Sequence, residues 1–309
     1  MKSVLKMLTP ATGKAAVLLV ALSVSNLVHA RTPLVLMSDF GLADGAVAAM
    51  HGVALGVDPE LSVSDLTHEI PDYDIWAGAY RLYQTANYWP QGTVFVSVVD
   101  PGVGTKRKSI VLKTPTGRLF VGPDNGLFTL IVERDGVAEV REIDERVNRL
   151  PGSAESYTFH GRDVYAYTGA RLSSGQITFE QVGPKLDNAG ITLIRHPVAR
   201  LEDGHIKGGI PVLDVKYGNV WTNIPKPLFA KLAIQPNDRV TVRFRNAGKL
   251  VAEVTAPFES SFGEVPKGNA LVYVNSLLNV SFAINQSNFA KVHGIESGPE
   301  WEVDISRAP

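Results

Sequence analysis

The segment Thr93-Val-Phe-Val-Ser-Val-Val-Asp100 is almost wholly apolar and then turns acidic. Such a run is typical of a β-strand that is buried on both faces, as in a parallel sheet. Shorter apolar runs precede it at 34–37 and 61–66, and helical patterns at 46–57 and 75–88 separate the three runs. The order strand, helix, strand, helix, strand predicts an α/β layer with a mainly parallel sheet.

The pattern continues past this segment and then changes. A hairpin is predicted at 109–121, helices at 126–133 and 160–173, and a loop at 144–158. Further along, short β-type runs recur between Gly, Asn and Pro turns: 211–215, 239–244, 250–254, 270–274, 280–284 and 301–305. These runs predict an antiparallel β-barrel or sandwich. We therefore expect an α/β domain over residues 31–195 and a β-barrel domain over residues 196–309.

Composition narrows the possible functions. The 30 Lys and Arg residues balance 31 Asp and Glu residues, so the chain lacks the basic excess of most nucleic-acid-binding proteins. It contains no Cys, which excludes disulfides, thiolate nucleophiles and Cys-ligated metals. The hydrophobic fraction of 45% is ordinary for a folded globular protein.

The first thirty residues have the pattern of a secretory signal peptide. Lys2, Lys6 and Lys14 precede an apolar run from Ala15 to Leu27, and small residues lead to a cleavage site after Ala30. A membrane anchor is the alternative, but the run is shorter than the ~20 apolar residues that a span needs. We therefore expect an exported protein, periplasmic and without a membrane segment once residues 1–30 are removed.

Acidic residues mark the ends of the predicted strands. Asp39 follows the first, Asp65 the second and Asp100 the third. Ligands bind outside the carboxyl ends of the strands in open α/β sheets, so one crevice is predicted to hold all three carboxylates. Each has a structural alternative: Asp39 and Asp44 flank a helix start, where carboxylates cap N–H groups, and the Asp100 segment also suits a plain turn. No spacing of these acids is diagnostic of a metal site.

Two further polar groups lie later in the chain. His160 stands at a loop-to-helix junction beside Arg162 and Asp163, a setting that suits a catalytic His as well as a structural one. Between Asp214 and Asn223, polar side chains alternate with aromatic ones. A binding strand and an ordinary strand followed by a turn both fit that pattern.

Six motifs occur in order and together carry a family resemblance: Ser38-Asp-Phe-Gly with Asp44, Asp65-Leu-Thr-His68, Val99-Asp-Pro-Gly-Val-Gly-Thr-Lys-Arg107, Val121-Gly-Pro-Asp-Asn-Gly126, Phe159-His-Gly-Arg-Asp163 and Tyr217-Gly-Asn-Val-Trp-Thr-Asn-Ile224. The set resembles the S-adenosyl-L-methionine (SAM) hydroxide adenosyltransferases, the SAM hydrolases related to fluorinase and chlorinase. The resemblance implies that water displaces L-methionine from the ribose 5′ carbon of SAM and leaves adenosine. SAM is then a substrate, and no cofactor or metal is implied.

The resemblance also implies residue roles. The family's catalytic Asp–Arg–His set corresponds to Asp100, Arg107 and His160. We expect Arg107 to stabilise developing hydroxide, His160 to accept or relay the proton, and Asp100 to orient Arg107 and the water. Which of the three takes the proton is left open by the sequence.

Substrate-binding roles carry over in the same way. In the α/β half, Asp39 resembles the acceptor of both ribose hydroxyls, Asp44 lies near the methionine end, and Tyr73 lines the ribose. In the other half, Asp214 and Ser276 resemble the residues that bind the ammonium and the carboxylate of methionine, respectively. Asn219 resembles the residue that binds the adenine edge, and Phe262 resembles the ring that stacks on adenine. The family's site forms between neighbouring subunits of a homotrimer, so the same assembly is expected here.

Two alternatives remain. The first is a SAM-dependent halogenase, chlorinase-like. The fluorinase-like enzymes carry Tyr in place of Asp100, a Tyr-Ser pair in place of His160-Gly161 and an extra loop, none of which this sequence has. The second is a non-catalytic exported SAM- or adenosine-binding protein, which would keep Asp39, Asn219 and Phe262. Such a protein would not need Arg107 and His160. The presence of the complete hydrolase set therefore favours an enzyme.

Overall fold

The structure is a computed structural model that describes residues 31–308. The predicted signal peptide, residues 1–30, lies outside the described residues. Within them, one sheet forms in the first half of the chain and two form in the second. No helix among residues 31–308 combines the length and the apolar character needed to cross a bilayer.

Six strands form the first sheet: β1 (Leu34–Ser38), β2 (Val63–Thr67), β3 (Val94–Val98), β4 (Ser109–Lys113), β5 (Leu119–Pro123) and β6 (Glu139–Glu142). Their spatial order is β2-β1-β3-β5-β4-β6. β2, β1, β3 and β5 pair in parallel, and β4 pairs antiparallel with both β5 and β6. Every residue of β1 and β3 is buried, which confirms the mainly parallel sheet that the apolar runs predict.

Within residues 31–308, seven α-helices accompany the sheets: α1 (Ala46–Val57), α2 (Ile75–Thr85), α3 (Thr129–Asp135), α4 (Glu145–Asn148), α5 (Tyr167–Ser173), α6 (Lys226–Phe229) and α7 (Phe289–His293). A π-helical turn, Gly161–Ala166, leads into α5, and 3₁₀ turns occur at Ala86–Tyr88, Phe179–Val182, Asn188–Gly190, Ala230–Leu232 and Phe262–Glu264. Successive side chains of a strand face opposite sides of the sheet. Leu34 of β1 accordingly packs in a core with α1 and α5, whereas Val35 packs in a second core with α2 and α3.

The second half of the chain is built from nine strands: β7 (Arg200–Glu202), β8 (His205–Ile210), β9 (Val212–Leu213), β10 (Val220–Pro225), β11 (Arg239–Asn246), β12 (Lys249–Pro257), β13 (Ala270–Val274), β14 (Asn279–Ile284) and β15 (Gly298–Arg307). They form two antiparallel sheets, in the orders β13-β14-β10-β9 and β12-β11-β15-β8-β7. Both sheets contribute to one core, which includes Phe244 and Phe282 with their rings 5.1 Å apart. The pairing within the described residues does not show a closed barrel.

Helix α2 joins the two halves. Trp76 donates its indole N–H to the carbonyl of Pro211 over 2.9 Å. One turn and a half later, Arg81 donates to the carbonyl of Leu213 over 3.3 Å. Helix α2 thus contacts the segment that directly precedes Asp214.

Candidate active site

A cavity of about 350 Å³ opens at the carboxyl ends of β1 and β3. Parallel neighbours end at the same edge of a sheet, so the residues that follow them come together there. The lining contains polar and aromatic groups from both strand ends and from the segment before α5: Asp39, Phe40, Asp72, Tyr73, Val98, Asp100, Val103, Thr158, Phe159, His160 and Gly161. Four of the ten predicted site residues therefore share one cavity: Asp39, Tyr73, Asp100 and His160.

Asp100 and Arg107 form a two-pronged ion pair in the turn between β3 and β4. The Nε–H of Arg107 donates to Asp100 Oδ1 over 2.7 Å, and a second contact joins the Nη2 group of Arg107 to Oδ2. Only 5% of the Asp100 side chain and 12% of the Arg107 side chain are exposed. A bidentate pair that is shielded from water holds both groups in a fixed geometry. Asp100 faces the cavity, and Arg107 lies behind it.

The buried end of Arg107 is held by a second group of contacts. Its Nη1 donates to Ser109 Oγ over 3.2 Å, and that hydroxyl lies 3.1 Å from the hydroxyl of Tyr165. Tyr165 also places its ring 5.7 Å from the Arg107 guanidinium carbon. Sequence reasoning missed Ser109 and Tyr165. The spacing of five residues from His160 to Tyr165 is a signal only if a π-helical turn is expected there.

His160 lies directly before the π-helical turn and is 6% exposed. Its Nδ1 has no hydrogen-bond partner among the described residues. Burial lowers the pKa of His160, the nearby charges of Arg107 and Arg149 lower it further, and Glu145 and Asp100 oppose them. A neutral imidazole with a free ring nitrogen at neutral pH is suited to accept a proton.

Asp39 lies across the same cavity. Its Oδ2 accepts the backbone N–H of Tyr73 over 3.0 Å, which fixes the carboxylate. Burial raises the pKa of Asp39; the N–H of Tyr73 lowers it, while Asp72 and Asp100 add to the increase. A fixed carboxylate with two oxygens matches a vicinal diol. Tyr73 itself is 71% exposed at the rim and has φ +66°.

A second, larger cavity of about 870 Å³ lies in the second half of the chain. All four residues predicted there line it: Asp214, Asn219, Phe262 and Ser276. Asn219 donates its side-chain amide to Asp214 Oδ2 over 3.2 Å. The ring of Phe262 lies 4.9 Å from that of Tyr273 and remains 42% exposed. The cavity thus offers an anionic group, an amide and an exposed aromatic face.

The structure does not bring Asp44 or Asp65 into either cavity. Asp44 is exposed and accepts the backbone N–H of Ala46 over 2.8 Å at the start of α1. Asp65 lies inside β2 and not beyond its end, so its side chain reaches His51 and His68, at 2.8 and 3.0 Å. The expectation that the acids after all three strands share a crevice is therefore wrong for Asp65.

The ten predicted residues consequently fall into two groups within one chain. Asp39, Tyr73, Asp100 and His160 line the smaller cavity, with Arg107 behind Asp100; four binding residues line the larger cavity, and Asp44 lies in neither. The two cavities have no lining residue in common. A ligand that touches both groups must therefore bridge two separate surfaces.

Comparison with known proteins defines the class. The model of the SAM hydroxide adenosyltransferase N-terminal domain matches residues 34–183, and that of the C-terminal domain matches residues 208–302. The chain belongs to this family.

Individual relatives agree with the family. The chain is 35% identical over 271 residues to an (R)-S-adenosyl-L-methionine hydrolase of Salinispora tropica, covering 86% of this chain and 95% of that protein. It is 26% identical over 308 residues to a fluorinase of Actinopolyspora mzabensis, covering 90% and 99%. A crystal structure of an uncharacterized conserved protein from Thermotoga maritima superposes with a TM-score of 0.79 at 35% identity, covering 89% and 100%.

Proposed function

We propose that this protein hydrolyses SAM to adenosine and L-methionine. The proposal is supported by the joint presence of Asp100 and His160 at one cavity, with Arg107 paired behind Asp100, in a chain whose relatives include (R)-SAM hydrolases. The new bond joins the water oxygen to ribose C5′, and the C5′–S bond breaks. The electron pair of that bond stays on sulfur, which leaves as the neutral thioether of methionine. One water proton passes to the protein and then to solvent.

Each of the three catalytic residues has its own role. His160 accepts the water proton, since burial lowers its pKa and keeps it neutral. Asp100 orients the water, and the positive charge of Arg107 directly behind it favours the developing hydroxide. Attack by an anion on a sulfonium cancels charge, so a shielded site strengthens the attraction between them. No cofactor or metal is part of the proposal.

Substrate binding completes the proposed site. Asp39 accepts the ribose hydroxyls and Tyr73 covers the ribose, while Asp44 is assigned to the methionine end only by family resemblance. In the larger cavity, Asp214 pairs with the methionine ammonium and Ser276 with its carboxylate. The adenine base is held there by the two remaining groups, Asn219 and Phe262.

We propose that the two cavities meet across subunits of a homotrimer. Aromatic side chains are exposed at both: Tyr73 at the smaller cavity, and Tyr217 and Phe262 at the larger, with exposures of 71%, 59% and 42%. Exposed rings at a binding surface are typical of an interface. Head-to-tail contact of the two surfaces around a threefold axis would close a ring and form three complete sites.

The placement of the protein in the cell is also a proposal. Residues 1–30 act as a signal peptide, and the mature protein is located in the periplasm. It consists of an α/β domain (31–195) and a β-barrel or sandwich domain (196–309). The one core shared by both antiparallel sheets supports a single second domain. Labelling of the mature N-terminus at Arg31 in a periplasmic fraction would support export, and an intact Met1 would contradict it.

The proposed reaction is tested by incubating the protein lacking residues 1–30 with SAM, with and without chloride, and separating the products. Adenosine and methionine in equal amounts are expected, with no effect of chloride. Formation of 5′-chloroadenosine would instead show a halogenase. Unchanged SAM together with measurable binding would show a binding protein.

The role of His160 gives a direct prediction. His160→Ala should lower kcat roughly 10²–10⁴-fold, the usual size of a lost proton-transfer group, and leave the affinity for SAM nearly unchanged. Steady-state kinetics and calorimetric binding separate the two effects. A parent-like kcat in the variant would remove His160 from the mechanism.

A further inference from the structure

Outside the predicted site, a charged pair lies against the side of His160 that faces away from its free Nδ1. Glu145 lies in α4 and Arg149 directly follows it. The Nε–H of Arg149 donates to Glu145 Oε2 over 3.1 Å, and a second contact joins its Nη2 to the same oxygen. Both contacts of Arg149 are to Oε2, so neither involves Glu145 Oε1. That oxygen lies 3.7 Å from His160 Nε2.

We propose that Glu145 is a positioning residue that stabilises the imidazolium formed when His160 takes the proton of the attacking water. The inference rests on the proposed role of His160. The unpartnered Nδ1, a buried atom, is the nitrogen left to take the proton of the attacking water, and Nε2 is the atom that faces Glu145 Oε1. Protonation at Nδ1 places a hydrogen on both nitrogens, so the charged ring then lies within ion-pair distance of the carboxylate, with Nε2 3.7 Å from Oε1. Serine hydrolases use a carboxylate behind a catalytic His in the same way.

Arg149 holds this carboxylate in place and partly offsets its charge. Only 7% of the Arg149 side chain is exposed, against 35% for Glu145. Its guanidinium carbon lies 4.6 Å from the centre of the Tyr157 ring, and Nη2 lies 3.5 Å from His160 Nε2. An isolated carboxylate at this point would bind the imidazolium proton too firmly for release. The arginine prevents that by its opposing charge.

Among the described residues, four charged side chains and the ring of Tyr157, 6.4 Å away, face His160. Glu145 and Arg149 lie on the side of α4, and Asp100 and Arg107 lie on the side of the turn after β3. The ring of Tyr165 follows 6.4 Å away. Of the two carboxylates, Glu145 has the stronger influence on His160. Glu145 is thus the group whose removal should change the titration of His160 most.

The test is the pH dependence of kcat with SAM in three variants. Glu145→Gln removes the negative charge, so the acidic limb of the profile should move to lower pH by roughly one unit, with kcat about 10-fold lower and KM unchanged. Arg149→Gln should move the limb in the opposite direction. Glu145→Asp should lie between the parent and Glu145→Gln. Glu155→Gln, an exposed loop residue, is the matched control and should keep the parent profile.

The outcomes distinguish the role of Glu145 from the role of His160. Opposite displacements of the limb in Glu145→Gln and Arg149→Gln support the inference, because a general loss of packing would not give opposite signs. An unmoved limb in Glu145→Gln, with His160→Ala still impaired, would overturn the inference and leave the role of His160 intact. A parent-like His160→Ala would overturn both. If Glu145→Gln does not fold, the limb of Glu145→Asp decides: a parent-like midpoint contradicts the inference.

Discussion

At the scale of single residues, Asp39 shows a conflict between folding and binding. Burial raises its pKa, and the nearby charges of Asp72 and Asp100 add to the increase. A carboxyl group whose pKa is higher in the folded than in the unfolded state favours folding when protonated. Its contribution to stability is therefore lost as the pH rises through the window between the two values. In the proposed site, SAM binding needs the ionised form of Asp39, which its buried surroundings disfavour.

Asp39→Asn should consequently separate binding from stability. Loss of the charged acceptor for two ribose hydroxyls should raise KM for SAM roughly 10–100-fold, the size expected for hydrogen bonds to a charged group. The melting temperature at pH 7 should be equal to that of the parent or higher. Asp203→Asn, at an exposed turn, is the control with no expected effect. A lower melting temperature together with an unchanged KM would contradict both parts.

The same ionisation predicts a pH dependence of binding. Because the charged form of Asp39 is the proposed acceptor of the ribose hydroxyls, affinity for SAM should decrease as the pH falls through its raised pKa. Calorimetric titration from neutral to mildly acidic pH measures this. In Asp39→Asn the acid-dependent part should be absent. An equal pH dependence in both proteins would assign the effect to another group.

At the scale of elements, long periodic segments were predictable and short ones were not. The pattern predicts α1 over 46–57 and β13 over 270–274, and the structure has both within the same bounds. In contrast, α4 is only four residues long and lies within the predicted loop 144–158. Four residues make about one helical turn, too few for a hydrophobic period. The predicted helix 126–133 is displaced as well, since it begins at Thr129.

This difference explains why the candidate site was only partly predictable. Asp39 and Asp100 follow strands that the apolar pattern identifies, so the topology places them together. Glu145 and Arg149 lie on an element without a sequence signal, and Tyr165 reaches the site through a π-helical turn. Such contacts arise from tertiary packing, which local patterns do not contain.

Helix packing at this scale gives a prediction from two glycines. A Cβ at Gly169 in α5 would collide with Val96 Cγ2 of the central strand, whereas a Cβ at Gly52 in α1 would meet nothing within 4 Å. Gly169→Ala should therefore decrease the free energy of unfolding by about 1–3 kcal/mol. Gly52→Ala should increase it by roughly 0.5–1 kcal/mol, because alanine restricts the unfolded chain. Urea unfolding of both variants measures the difference, and equal changes would contradict the packing of α5 on β3.

At the scale of the whole molecule, the separation of the two cavities determines how activity can arise. Helix α2 fixes the halves of one chain to each other through the contacts of Trp76 with Pro211 and of Arg81 with Leu213. These contacts make a hinge closure within one chain an unfavourable way to join the cavities, since both would have to break. Joining the smaller cavity of one subunit to the larger cavity of the next needs no such rearrangement. Sequence patterns identify both halves of the chain, but they do not show how far apart the two cavities lie.

The proposed sharing of a site between subunits predicts complementation between two inactive variants. His160→Ala disables the smaller cavity and Asp214→Ala the larger one, so each homo-oligomer should have little activity. Co-expression from differently tagged copies mixes the chains, and in a head-to-tail ring a site is intact only where both facing halves are unaltered. For equal and random mixing, about one quarter of all sites, and about one third of those in mixed trimers, should be intact, with kcat per site equal to that of the parent. Doubly tagged oligomers with no more activity than the single variants would place the whole site within one chain. If the unaltered protein were active and had the mass of a monomer in light scattering, the proposed trimer would be contradicted.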